Sequence, residues 1–358
     1  MIKIKAFITH KKAEKFEDCQ DSFAIDKENL SIAIADGISQ SIFPKKWADL
    51  LTTTFVKNPD FMLNTEEDIN SLREKWWLYF HEELERQQKD GVPTVWLLEN
   101  CYNNKKSAGA TFAGIRFGID NKVVNYEILG DSCLIVIKND QIKRIISSKP
   151  DGEAFDNYPD YIDSNELIGT KGSPNIGKVP FSDFNKIFLV TDALSDKFNE
   201  EEKIADQGRS IIEKLSKIEK QEEFEELVDA LRNDGMSNDD TTFVCINKDT
   251  DDSMEFEVVF ETPLDELIAK EMDLHQSVSK KNMDENGMPA PEATKEEGAE
   301  IGVTEDSQKK TFPQMIESIF LGLFDDNEKK NTKEIIINLI DKHKEDIADK
   351  IIKETQNQ

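Results

Sequence analysis

Apolar residues recur at two periods along this chain, and the places where the period changes outline its elements. Ser31 to Ala35 is a short continuous apolar run, read as a buried strand. Pro44 to Val56 then predicts a helix, with Pro44 in the first turn, where a missing N–H is harmless. Thr65 to Gln88 predicts a longer one, with Thr65 as N-cap and Asp68 as the acid three residues on. Its stripe of Ile69, Leu72, Trp76, Phe80 and Leu84 buries one face, so these aromatics read as core.

From Ser107 strand-like runs take over, at Ala110 to Phe117, Val123 to Leu129, Leu134 to Lys138 and Gln141 to Ile146. Asn139-Asp140 supplies a hairpin turn between the last two, and tight turns between consecutive strands imply antiparallel pairing. Lys186 to Thr191 is a further apolar strand, followed by helices around Asn199 to Ile218 and Gln221 to Arg232 and a strand at Thr241 to Asn247. Met254 to Phe260 offers one more strand, and Thr262-Pro-Leu-Asp opens a helix. Strand runs mixed with helix pairs fit an α+β sandwich better than a doubly wound sheet.

Residues from about Gln276 to Lys310 are poor in apolar side chains and cannot repay their ordering entropy, so 276–310 reads as a flexible linker. Phe312 to Phe324 and Thr332 to Lys353 have apolar stripes and predict helices in a C-terminal segment, 311–358. The isoleucines of the second (Ile335, Ile336, Ile337, Ile340, Ile347, Ile351) need a surface, either the main domain or a protein partner. The division expected is therefore 1–275, 276–310 and 311–358.

Composition narrows the function. A formal net charge of −28 opposes a nucleic-acid or anionic-membrane partner, both of which need a basic face. Four cysteines without paired spacing indicate neither a zinc site nor a disulfide framework. The N-terminus has no long apolar segment, and a reducing cytoplasm is the expected location. The chemistry sits in five aspartates, most of them ending an apolar run: Asp21, Asp36, Asp131, Asp192 and Asp239. A carboxylate pushed toward low dielectric costs several kcal/mol unless compensated. Several together, with few basic residues close by, indicate a bound cation. Taken singly, Asp36 or Asp192 is more simply a turn cap.

The ordered succession Gln-Asp-Ser-Phe, Ala-Asp-Gly, Ser-Ala-Gly-Ala-Thr, Leu-Gly-Asp-Ser, Ser-Lys-Pro-Asp, Leu-Val-Thr-Asp-Ala-Leu-Ser-Asp and Asn-Asp-Asp-Thr-Thr resembles the metal-dependent (type 2C) protein serine/threonine phosphatases, from residue 1 to about 248. The resemblance implies a four-layer αββα sandwich of two antiparallel sheets flanked by helices, here with a helical C-terminal extension. It implies that Asp21, Asp36, the Gly37 carbonyl, Asp192 and Asp239 hold two central ions, with Asp131 and Asp196 at an additional, weaker site. Asp240 stands where the family usually has asparagine, and either Asp239 or Asp240 is open as the ligand, the alignment favouring Asp239. An all-oxygen donor set suits Mn²⁺ or Mg²⁺. Two such ions roughly 3.5–4 Å apart activate a shared water for in-line attack on phosphorus, with no side-chain nucleophile.

Three departures stand out. Asp192 is followed by Ala193 instead of glycine, so a backbone that favours glycine is expected to accept a methyl group. Ile38-Ser39-Gln40 follows Asp36-Gly37 and supplies no histidine acid. The family's phosphate-gripping arginine has no clean match, Lys12 and Lys15 being the nearest cations. His10 reads as a surface residue, and Gly169, Gly172, Pro174 and Gly177 mark a mobile loop over Asn165 to Pro180, either a substrate-side flap or a plain connector. The leading expectation is hydrolysis of phosphoserine or phosphothreonine on proteins. Its rival is a catalytically weak or inactive module of the same fold that binds a phosphoprotein or regulatory partner.

Overall fold

A computed structural model describes residues 1–149, 159–202, 209–249 and 255–272. The expected tether and the C-terminal helices at Phe312 to Phe324 and Thr332 to Lys353 lie outside the described residues. In chain order the first half holds β1 (Ile2–Thr9), β2 (Ser22–Asp26), β3 (Ser31–Ala35), α1 (Pro44–Lys57), α2 (Glu66–Lys89), α3 (Val95–Asn103), β4 (Gly109–Ala110), β5 (Phe112–Gly118), β6 (Val123–Leu129), β7 (Cys133–Lys138) and β8 (Gln141–Ile146). The second half holds β9 (Tyr161–Asp163), β10 (Thr170–Lys171), β11 (Asn175–Pro180), β12 (Lys186–Val190), α4 (Asp192–Glu202), α5 (Arg209–Ser216), α6 (Gln221–Asn233), β13 (Thr241–Lys248) and β14 (Phe256–Glu261). A last helix, α7, runs over 264–272.

Period-2 alternation along the strands builds two packed sheets. The six-stranded sheet has the order β14-β1-β13-β12-β7-β8, and the five-stranded sheet the order β11-β6-β5-β3-β2. Between them lie Ile2, Ile4, Leu134, Val136, Ile187, Leu189, Val244 and Ile246 from one sheet and Ile32, Ile34, Ile115, Val124 and Ile128 from the other. The opposite face of the six-stranded sheet presents Phe7, Phe188, Val190 and Phe243 to Leu194, Phe198, Ile211, Leu215, Phe224 and Val228 of α4, α5 and α6. The outer face of the five-stranded sheet receives Trp47, Leu51 and Phe55 of α1 and Leu72, Trp76 and Phe80 of α2. Four layers result, as expected. Each of these buried side chains contributes about 1.5–3 kcal/mol of transfer free energy.

Two features depart from a plain antiparallel pair of sheets. β14 lies parallel to β1, with Ile2 opposite Phe256 and also opposite Lys248 of β13. β13 and β14 thus flank β1 and run opposite to each other, so a short connection past the start of β1 suffices. A small third sheet, β10-β9-β4, adjoins the others through the bridge between Gly37 and Ala110. The second part of the region read as a mobile loop is paired, because β11 runs against β6 from Val123 to Ile128. Asn139 and Asp140 both take positive φ, 55° and 54°, and form the hairpin turn their sequence predicts. α4 begins at Asp192, seven residues ahead of the expected helix start at Asn199. Among the described residues no helix is long and apolar enough to cross a membrane.

Candidate metal and phosphate site

Strand direction gathers the aspartates at one end of the sandwich. Asp21 precedes β2 and Asp36 follows β3, its antiparallel neighbour, where Ser22 pairs with Ala35. Thr191 and Asp192 follow β12, Asp239 and Asp240 precede β13, and Val190 pairs with both Phe243 and Cys133. Asp131 lies in the turn from β6 to β7 at the same end. The Thr111 N–H donates to the Asp36 carbonyl at 2.9 Å, and the Thr111 and Ser132 hydroxyls meet at 2.8 Å, tying the Asp36 and Asp131 turns together.

Asp21 is wholly buried. Its Oδ2 accepts the hydroxyls of Thr191 at 2.9 Å and Thr242 at 2.8 Å, contributed by neighbouring strands of the other sheet. Its Oδ1 has no hydrogen-bond partner among the described residues. Burial, and then the charge of Asp240, push its carboxyl up to about 7 despite the two hydroxyls. Asp36 is raised well above the carboxylate range by burial and then by Asp192, Asp21 and Asp131. Asp192 is raised well above it too, by burial and then by Asp239, Asp131 and Asp21. The charges acting most strongly on this group are its own carboxylates, an arrangement that a cation relieves.

Gly37 is fixed by close approach: a Cβ there would come within 2.8 Å of Pro44 Cβ and 2.9 Å of the Gln20 carbonyl oxygen. Any side chain would push apart the two turns that carry Asp21 and Asp36. Asp131 and Asp196 both lie within electrostatic reach of Cys133. After burial, these two carboxylates help raise the Cys133 thiol well above its ordinary value. Asp196 stands exposed on α4, one turn beyond Asp192.

The structure separates Asp239 from its neighbour. Asp240, 2% exposed, accepts the backbone N–H of Lys11 at 2.9 Å and that of Gln20 at 2.8 Å on its two oxygens. Its carboxylate is consumed in holding two chain segments. The Asp239 side chain is 36% exposed and meets Lys11 Nζ at 3.0 Å. Lys11 also donates to Ser39 Oγ at 2.8 Å. Burial opposes its ammonium, but Asp239 and Asp240 outweigh burial and raise Lys11 above the ordinary lysine value. Lys15 pairs instead with Glu17 on the surface, and Lys12 is exposed with its backbone bonded to Asn238. Arg232 reaches the Asp239 carbonyl at 2.7 Å. Lys11 is thus a cation brought to the carboxylates that residue order alone did not single out. Its signal was the register, because continuing the β1–β13 pairing two residues past Thr9 opposite Thr241 sets Lys11 opposite Asp239. His10 packs edge-on against Phe16, ring centres 4.6 Å apart.

Ala193 needs no glycine-like backbone. It lies in the first turn of α4, is absent from the positive-φ residues, and buries its methyl against the α4–α6 layer. The expected strain at this position is overturned, because the helix begins at Asp192 itself.

The donor chemistry fits a hard divalent ion: carboxylate oxygens that raise one another, and a buried Asp21 Oδ1 that nothing else uses. Among the described residues no three of these side chains yet converge at the spacing of a single closed site.

A profile of the protein phosphatase 2C family matches residues 10–232, more than half of the chain. The chain belongs to that family of protein phosphatases. Similar solved structures include the serine/threonine phosphatase Stp1 from Staphylococcus aureus, 18% identical with a TM-score of 0.45, covering 70% of this chain and 96% of that one. The Mycobacterium tuberculosis phosphatase PstP/Ppp is 15% identical with a TM-score of 0.40, covering 69% and 98%. The photosystem II phosphatase PBCP is 15% identical with a TM-score of 0.44, covering 70% and 99%. No curated protein sequence matches the chain.

Proposed function

We propose that this chain hydrolyses phosphoserine and phosphothreonine on proteins and depends on Mn²⁺ or Mg²⁺. The observation that carries the reading is Asp21, a buried carboxylate with one oxygen clamped by two hydroxyls and the other unpartnered, among carboxylates that raise one another. Asp21, Asp36, the Gly37 carbonyl, Asp192 and Asp239 would hold two ions, and Asp131 with Asp196 an outer, weaker one. When bound, the ions supply a water acidic enough to attack at neutral pH and positive charge for the phosphate oxygens. Thr191 and Thr242 donate to Asp21 Oδ2 and so favour its charged form, in opposition to burial and the neighbouring carboxylates. Asp240 holds the Lys11 and Gln20 segments in place around them. No side-chain nucleophile is required.

Two grounds for reading the chain as a non-catalytic module lose weight. Ala193 is unstrained, and the Lys11 ammonium lies beside the Asp239 carboxylate. The test is hydrolysis of p-nitrophenyl phosphate and of a phosphothreonine peptide, with Mn²⁺ and with chelator, for wild type and Asp36→Asn. Turnover that needs Mn²⁺ and is lost in Asp36→Asn is expected. Equal turnover in excess chelator would sink the reading, and no turnover at all would leave the module.

A further inference from the structure

Arg232, in the last turn of α6, carries a guanidinium that is almost wholly buried, its side chain 6% exposed. Its Nη2 donates to two main-chain carbonyls, that of His10 at 2.9 Å and that of Asp239 at 2.7 Å. The His10–Lys11 peptide is gripped on its other side as well, because the Lys11 N–H donates to the Asp240 carboxylate at 2.9 Å. The Asp239 carbonyl also accepts the Thr241 hydroxyl at 3.0 Å, and the Asp240 N–H donates to the Asp239 carboxylate at 2.8 Å. A closed ring of bonds thus runs from Arg232 through the exit of β1 to Asp240 and back through Asp239.

A neutral donor serves the neighbouring carbonyl of β1: Gln221, at the start of α6, donates to Ile8 at 2.7 Å. At the other end of the helix the chain buries a cation instead. Its acidic partner Asp229 lies 3.5 Å away and is 56% exposed, and Arg232 Nε has no hydrogen-bond partner among the described residues. A buried charge so poorly paired costs stability, so stability gives no reason for it. A planar guanidinium does fix the angle between the two peptides it bonds, which a flexible ammonium does not. The Asp239 side chain is 36% exposed and takes little direction from packing, so its aim depends on the backbone beneath it.

We propose that Arg232 is a positioning residue for Asp239, fixing the peptide on which that carboxylate is mounted so that it points at the metal. The inference rests on the metal-dependent reading above for its ion, but its test does not depend on turnover. It is Mn²⁺ titration of the full chain by calorimetry, with melting curves in chelator alongside. Wild type, Arg232→Lys, Arg232→Met, Asp239→Asn and the double variant of Arg232→Met with Asp239→Asn are compared. Arg232→Met is expected to weaken Mn²⁺ binding roughly ten-fold, and Arg232→Lys, which keeps the charge without the fork, by a smaller factor. The loss should vanish in the Asp239→Asn background, where no ligand is left to aim. A brace that serves only the fold would lower the melting temperature in both backgrounds and leave Mn²⁺ affinity in place, and that result would overturn the proposal. So would a ten-fold loss that persists undiminished once Asp239 is changed. If Arg232→Met does not fold, Arg232→Lys carries the same comparison in both backgrounds. Mn²⁺ binding that depends on Arg232 through Asp239, in a chain without turnover, keeps this inference while the catalytic reading falls. Metal-dependent turnover with unaltered Mn²⁺ affinity in the Arg232 variants does the reverse.

Discussion

Thr242 donates its hydroxyl to Asp21 Oδ2 at 2.8 Å, across 221 positions of sequence and from one sheet of the sandwich to the other. Thr191 does the same from the adjacent strand, and its oxygen also accepts the Thr242 N–H at 2.9 Å. This pair orients a candidate ligand without touching the ion. Thr242→Val, close to the same shape, is expected to weaken Mn²⁺ binding about 10–100-fold, while Thr242→Ser keeps it near wild type. Calorimetric titration with Mn²⁺ checks this, and equal affinity in the valine and serine variants would refute it.

Neighbouring aspartates should fail in different ways. Asp239→Asn is expected to lose Mn²⁺ affinity with little change in melting temperature, since its side chain is part-exposed and supports no backbone N–H but that of Asp240. Asp240→Asn is expected to cost stability of about 1–3 kcal/mol, because an amide replaces one of two acceptors for buried N–H groups. Urea unfolding in chelator reads the second effect. If the two variants exchanged phenotypes, the assignment of ligand and tether would be reversed.

Stability in chelator should fall as pH rises. Asp21, at about 7, and Asp36 and Asp192, also raised, hold protons more tightly folded than unfolded. The Asp21 contribution is fully present below the unfolded carboxylate value of about 4 and is lost as pH passes through about 7, and the raised Asp36 and Asp192 act in the same direction. Melting temperature in chelator is therefore expected to be higher near pH 5 than near pH 8, and Mn²⁺ should shrink or reverse the difference. A metal-free protein that becomes steadily more stable toward pH 8 would contradict the electrostatics of this cluster.

Ala193→Gly should not improve the enzyme. Helix propensity and a lost buried methyl together predict a loss of about 1 kcal/mol or more, with no gain in turnover. A more stable or faster glycine variant would show that the first turn of α4 is strained after all.

The aspartates and most strands were legible because each is local: an apolar run and the carboxylate that ends it. β1 escaped notice because Lys3 and Lys5 interrupt its apolar positions, although Ile2, Ile4 and Ala6 alternate into the core. β11 was hidden by Gly177, which is needed where a Cβ would come to 2.4 Å from the Tyr126 hydroxyl. α3 has Cys101 as its buried residue and little amphipathic signal to read. Lys11 and the two threonines were out of reach for another reason. Their roles depend on which strands pair, and in what register, across separations of 170 residues and more.

The helix at 264–272 is moored to the turn that leads into Asp21. Leu267 is buried with Ile8, Phe16 and Cys19, and Glu271 accepts the Phe16 N–H at 3.0 Å. Two residues after Cys19 comes Asp21 itself. A chain cut at Asp249 therefore forfeits β14 and this mooring together, whereas one cut after 275 keeps both. Loss of that short helix would release the Phe16 N–H and uncover Ile8, Phe16 and Cys19, with Cys19 only two residues short of the carboxylate cluster.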